Sequence, residues 1–306
     1  MADALQSQTM ARFLGLNNVD DATRLIPIVV NHEYVYPLAQ ANNIEIDNTY
    51  GLSSRGGYAT VAGSAGTSGL DNHSGWSDGT TCLFVDGVTL YEMTTVYDRI
   101  ALRSDLTRGM RMSYAKFNDR IYYTNEKQIG YIKSSIDNHL PNPDREFKEP
   151  LPPGQFIEYF MGCLYVAAND ILYISDPLCD YYDIRQGYKQ FAKRITMLRA
   201  VDEGFYVSDD RIWFVKGKGS DEFQRDEVYP SRAIQYTDVR VVGKYIDDGI
   251  TGNVALWTSE NGICLGDNTG KVTNLTEGRY TFSPTGRGAA VIKENGNVRY
   301  YINSLF

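Results

Sequence analysis

The 306-residue sequence predicts an all-β fold: a β-propeller-like body of about six blades behind an extended, non-repeating N-terminal arm. Three observations predict it. The 23 Tyr and 28 Gly beside only 7 Met favour strands and turns over helices. A phrase of strand, polar turn and strand recurs along the chain at roughly the period of a four-stranded blade. Its strands also carry apolar residues in succession, as in ILYI at 171–174 and IWFV at 212–215. Both faces of such strands ask for burial, as in a blade held between two neighbours. An irregular β-sandwich with repeated hairpins is the alternative.

The first 60 residues do not repeat. LGLNNVDDATRLIP at 14–27 has no sustained period, and NIEID at 43–47 is one short alternating strand followed by Gly and Ser punctuation. Residues 1–60 are therefore assigned to the arm and first strands, packed on or exchanged with neighbours, and 61–306 to the propeller body. GSAGTSGLDNHSG at 63–75 reads as a flexible loop.

Six copies of the hairpin phrase follow. They are TCLFVDGVTLYEM from Thr81, DRIYYTNEKQIGYI from Asp119, GCLYVAANDILYIS from Gly162, EGFYVSDDRIWFV from Glu203, NVALWTSENGICLGD from Asn253 and GAAVIKENGNVRYYI from Gly288. Their equivalent points Phe84, Tyr122, Tyr165, Tyr206, Leu256 and Val291 stand 38, 43, 41, 50 and 35 residues apart. A further strand-like stretch precedes several copies: MRMSYAKF, QFIEYFM, RITMLRAV and RVVGKYI. Each repeat thus has at least three strands. Glu-Asn-Gly in the last two copies supplies residues suited to a tight hairpin. An N-terminal strand is expected to complete the last blade. The segment 138–154, with five Pro, is a stiff connector.

Composition excludes some functions. A net charge of −8 and a pI near 5.0 argue against a surface built to grip phosphates. Cys82, Cys163, Cys179 and Cys264 form neither a disulfide framework nor a zinc pattern, and no segment approaches a membrane span or a signal peptide. His32, His73 and His139 sit in loop-like surroundings and offer little for a triad or metal cage. Asp170, Asp176, Asp209, Asp210 and Asp247 fall at turns, where Asp caps its own backbone. The sequence thus points to no catalytic residue, no metal and no cofactor, and the chain is read as a non-enzyme. The tyrosine clusters at 122–123, 181–182 and 300–301 suit cross-strand packing.

Several motifs occur in a telling order: Leu16 to Val19, Arg24-Leu25, Ala41 to Asp47, Gly51 to Tyr58, MSYAKFNDRIYYTN at 112–125 and PPGQFIEYFMGCLYVAANDILYISDP at 152–177. In these the chain resembles a group of tailed-phage virion proteins, over most of its first 215 residues. The resemblance implies a virion structural protein with a propeller body, similar to the nozzle or tail-hub proteins that form rings at the neck or tail tip. The implied partners are its own copies, in a ring with a hexamer as the working stoichiometry, and adjacent tail or neck proteins. DNA would pass through without sequence recognition, its sliding helped by the acidic balance. Asn17, Asn18, Arg24, Arg55 and Tyr58 are the candidate subunit-docking residues. The alternative function is a carbohydrate-binding or carbohydrate-cleaving propeller used in host recognition. A bacterial scaffold propeller is a third reading.

Overall fold

The computed structural model describes residues 12–17, 19–40, 44–46, 50–54, 71–278, 283–294 and 297–305. The chain is an all-β propeller. Among the described residues, five antiparallel sheets of four strands follow one another in the chain. From inner to outer strand, sheet 1 comprises 72–77, 82–86, 89–93 and 99–103, and sheet 2 comprises 113–117, 120–124, 129–133 and 136–138. Sheet 3 comprises 156–160, 163–168, 171–174 and 188–190, and sheet 4 comprises 197–200, 205–208, 212–216 and 224–229. Sheet 5 comprises 239–242, 253–259, 262–266 and 272–274. A two-stranded hairpin, Ser283–Glu294 with Asn297–Leu305, occupies the place of the sixth repeat.

Every predicted hairpin is present as an antiparallel pair. Phe160 pairs with Cys163 across Met161 and Gly162, both at positive φ (45° and 86°), the geometry whose twist matches the flanking strands. Three expectations need correction. Residues 72–75, read as loop, open the inner strand of sheet 1, and His73 is therefore a strand residue. The 138–154 connector contains a strand, Lys148–Pro150, which pairs with Tyr181–Asp183. No described N-terminal strand joins the C-terminal hairpin, which pairs only with itself; the arm strand Phe13–Leu16 instead runs parallel to Glu33–Leu38.

The second strand of each sheet is the most deeply packed: Cys163 to Ala167 and Phe205 to Val207 are buried without interruption. Outer strands are short or polar, and 224–227 is exposed throughout. Consecutive inner strands contact one another from sheet 2 through to the C-terminal hairpin, which arranges the sheets around a common axis. Each junction between the four-stranded sheets carries an aromatic pair. Trp76 meets Tyr114 at 5.9 Å between ring centroids, Phe117 meets Tyr159 at 4.7 Å, Tyr165 meets Phe205 at 4.7 Å, and Tyr206 meets Trp257 at 5.4 Å. The repeated tyrosines are thus mortar between blades.

Hydroxyl latches reinforce the junctions. Ser113 Oγ accepts from the Ile157 amide (3.0 Å), Thr124 Oγ1 accepts from the Gly154 amide (2.8 Å), and Ser208 Oγ accepts from the Ala233 amide (2.9 Å). Gly154 cannot be replaced cheaply, because a Cβ there would stand 2.2 Å from the Ala167 carbonyl oxygen. Tyr300 Oη donates to the Thr237 carbonyl (2.6 Å) and ties the C-terminal hairpin to sheet 5.

Asp78, in the first turn of sheet 1, accepts from the amides of Thr80 (2.9 Å) and Thr81 (2.8 Å) and pairs with Lys116 of sheet 2. Burial works to raise its pKa, but Lys116 and the turn amides outweigh it and hold the carboxyl well below the usual range. A depressed folded-state pKa stabilises above the unfolded value and is lost as pH falls through the folded one. Asp78→Asn is therefore expected to cost about 1 kcal/mol at pH 7, the worth of a capping carboxylate. Urea titrations at descending pH should show that deficit shrinking once pH drops below about 4; a deficit of equal size at pH 2.5 would refute the assignment.

Candidate functional site

Two regions hold functional side chains. The first is the axis. Inner strands bring Glu158 from sheet 3, Arg199 from sheet 4, and Asp238 and Arg240 at the start of sheet 5 toward one another. Arg199 Nη1 donates to Glu158 Oε1 (2.5 Å), while its Nε and Nη2 donate to Asp238 Oδ2 (3.0 and 2.8 Å). The carboxylates are 7% and 2% exposed, so they bind the guanidinium rather than solvent. Burial pushes the Glu158 carboxyl up, and Arg199 and Arg240 pull against that rise. Burial opposes the charge on Arg199, but Asp238 and Glu158 raise its pKa overall. The arrangement locks three sheets together. It does not present two free carboxylates to a sugar bond, because both are held by one cation.

At one end of the axis the connectors converge. Glu126 Oε1, from the turn between the second and third strands of sheet 2, accepts from Arg194 Nη2 (2.8 Å) and from Tyr236 Oη (3.1 Å). Arg194 leads into sheet 4 and Tyr236 into sheet 5, so this contact reaches across the ring. Tyr236 also packs on Phe156, with centroids 5.5 Å apart. Burial raises its phenol pKa, Glu126 adds to the rise, and Arg194 and Arg111 oppose it.

Of the five turn aspartates, Asp247 and Asp209 cap their own backbone as the sequence suggested, whereas the carboxylates of Asp170, Asp176 and Asp210 hold other side chains. Asp247 Oδ1 accepts from the Gly249 amide (2.7 Å), Asp209 Oδ1 from the Arg211 amide (3.3 Å), Asp170 holds Asn169 and Gln190, and Asp176 pairs with Lys148. Asp210 pairs with Arg211. Among the described residues no group of His, Cys, Asp and Glu could hold a metal, and no helix is long and apolar enough to cross a membrane.

The second region is the arm. Asn18, Arg55 and Tyr58 lie outside the described residues. Asn17 does not sit in an extended stretch: its Oδ1 accepts from the amides of Val19 (3.2 Å) and Asp20 (3.1 Å), which bends the chain. Asp21 then caps a single 3₁₀ turn, Ala22–Arg24, by accepting from the Thr23 amide (2.9 Å), and Arg24 is exposed there. The polar side chains capture backbone amides that an extended arm would leave to a partner. The stronger surface signal comes next. Ile28–Val30 and Glu33–Leu38 form a hairpin around Asn31 and His32, both at positive φ (50° and 66°). Ile26, just before it, is 76% exposed, and Ile28, Val29 and Tyr34 on it are 42%, 61% and 62% exposed. IPIVV at 26–30 carried this signal in the sequence, as an apolar run with no polar face to turn outward.

No protein-family model matches the sequence, and no curated protein is detectably similar to it. Solved structures of similar fold include a gluconolactonase from Xanthomonas campestris, at 13% identity over 76% of this chain and 82% of that one, with a TM-score of 0.45. The WD40 β-propeller domain of Doa1 matches at 14% identity over 76% and 83% of the two chains, with a TM-score of 0.44. The Neurospora crassa Pan2 WD40 domain matches at 12% identity over 74% and 72%, with a TM-score of 0.47. These likenesses concern the fold and carry no chemistry to this chain.

Proposed function

We propose that the chain is a structural component of a bacteriophage tail, a nozzle, hub or neck ring, without catalysis. It assembles with its own copies and with adjacent tail or neck proteins around the DNA path, and so belongs to the virion. The observation that carries this reading is the arm hairpin. Among the described residues, Ile28–Val30 pairs on one side only and is the edge of its sheet, and Ile26, Ile28, Val29 and Tyr34 are exposed. An exposed apolar edge is a liability unless a partner covers it. The order of phage-like motifs in the sequence supports the same reading. The closed Glu158–Arg199–Asp238 network favours it over a glycosidase.

Full burial of Val29 and Tyr34 contributes about 1.5–3 kcal/mol each. Placing Asp at both positions is therefore expected to weaken self-association at least about tenfold while leaving the propeller folded, since both side chains are exposed. Sedimentation of the full chain, alone and with the phage's tail proteins, reads this out. A wild-type chain that stays monomeric and ignores those proteins, yet binds host glycans, would replace this reading with the carbohydrate one.

A further inference from the structure

A base that is packed where only its neutral form fits makes a fold sensitive to acid. His73 is placed in this way. It lies in the inner strand of sheet 1, where His73 pairs with Val85 and Trp76 pairs with Leu83. The register shift between those pairs puts one extra residue into this strand, a bulge that re-aims a side chain. Ser74 is the side chain re-aimed. Its φ is 56°, and its Oγ accepts from the Met112 amide (2.8 Å) at the entry to sheet 2. The same Oγ stands 2.7 Å from His73 Nδ1, so the imidazole belongs to the hydroxyl latch that joins the two sheets.

The neutral ring suits this place and the charged ring does not. With one hydrogen to carry, Nδ1 either donates to Ser74 Oγ or accepts from it. An imidazolium needs an acceptor at each nitrogen, and Nε2 is buried with no hydrogen-bond partner among the described residues. A buried charged donor without an acceptor costs more than a neutral one.

The surrounding groups divide. Arg111, in the connector between the sheets, opposes a second positive charge, while Asp71, just before the strand, favours one and is itself paired with Arg108. Across the ladder His73 faces Val85, and the adjacent Asp86 is paired with Arg99. On the sheet 2 side Tyr114 is buried, which raises its phenol pKa and keeps it neutral. Burial and Arg111 thus hold the His73 imidazole below its ordinary pKa, against the pull of Asp71. The ties of Lys116 to Asp78 and of Arg103 to Tyr123 Oη also cross this junction, and neither changes charge near neutral pH.

We propose that His73 makes the junction of sheets 1 and 2 an acid-sensitive seam, at which protonation of the imidazole loosens sheet 1 while sheet 3 stays packed. The sign follows from linkage. A base whose folded-state pKa lies below its unfolded one stabilises the closed form above the unfolded value, about 6.5. That contribution is lost as pH falls through the folded value. The seam is independent of the assembly reading.

The test uses the full chain. Hydrogen exchange is followed by mass spectrometry from pH 7.5 to 5.5 and corrected for the intrinsic pH dependence of exchange, so that it reads local opening. Opening of segment 72–86 is expected to rise as pH falls, by at most about tenfold per unit, while segment 156–168 in sheet 3 stays level. In His73→Asn, whose Oδ1 still offers Ser74 an acceptor, the rise in 72–86 is expected to vanish. Equal loss of protection in both segments, or the same rise in His73→Asn, would overturn the proposal. An NMR titration of the wild-type imidazoles gives a reading free of any substitution. A His73 midpoint below about 6.5 supports the seam, and one at or above that value sinks it.

Discussion

Arg199→Met is expected to destabilise the propeller by about 3–5 kcal/mol at pH 8, the cost of stripping the partner from buried charges. Glu158 and Asp238 would then face each other without the guanidinium that now touches both. Their burial differs little from that of the apolar core, so solvent cannot replace the lost cation. The sign of the pH dependence follows. Burial already raises the Glu158 carboxyl, and removing Arg199 takes away a charge that pulls it down. An acid whose folded-state pKa lies above its unfolded one stabilises the fold most below the unfolded value and loses that contribution as pH rises through the folded one. The deficit in Arg199→Met should therefore be smaller at pH 5 than at pH 8 in urea denaturation. The triple variant Arg199→Met, Glu158→Gln, Asp238→Asn should recover much of the loss, because no charge is left buried. A deficit under about 1 kcal/mol, or one independent of pH, would show that the network is solvated.

The same residues show what was legible in the sequence. Hairpin positions were readable because a two-residue polar turn between apolar strands has a local cause, and Ala168-Asn169-Asp170-Ile171 states it within four residues. The fourth strands, such as 188–190 and 272–274, were not readable. They are short and polar, and they exist because the third strand offers a ladder to pair with. The axial network was half visible: Glu158 in FIEYF and Arg199 in MLRA are charges embedded in strands otherwise apolar. Only the ring places them 2.5 Å apart, since 41 residues of chain separate them. The turn at Asn17 shows the opposite failure. A polar stretch reads equally as extended arm or as turn, and the amides captured by Asn17 and Asp21 decide it. Arg24 is left exposed by that turn, whereas the apolar residues two to ten positions later carry the stronger docking signal.

Trp257→Ala is the second large expectation, about 3–5 kcal/mol. Trp257 is fully buried at the junction of sheets 4 and 5, among Met197, Tyr206, Phe214 and Cys264. Its ring is fitted tightly: a Cβ built on Gly266 would stand 2.8 Å from Trp257 Cζ3 and 2.5 Å from Tyr206 Cζ, so the strand beside it must be bare. Truncation to Ala opens a cavity between two sheets whose backbones are held by their own ladders and cannot close over it. The indole nitrogen separates volume from polarity, because Trp257 Nε1 is buried with no hydrogen-bond partner among the described residues. An unpaired donor costs about 1–3 kcal/mol, and Trp257→Phe removes that cost while keeping one aromatic ring against Tyr206. Trp257→Phe is thus expected to lose less than half of what Trp257→Ala loses, in paired urea melts at pH 7. If the two variants are equally unstable, the indole N–H is satisfied, and packing volume alone does not explain the junction. If Trp257→Ala is nearly neutral, sheets 4 and 5 do not depend on this ring, and their cohesion rests on the Ser208 hydroxyl latch to the Ala233 amide.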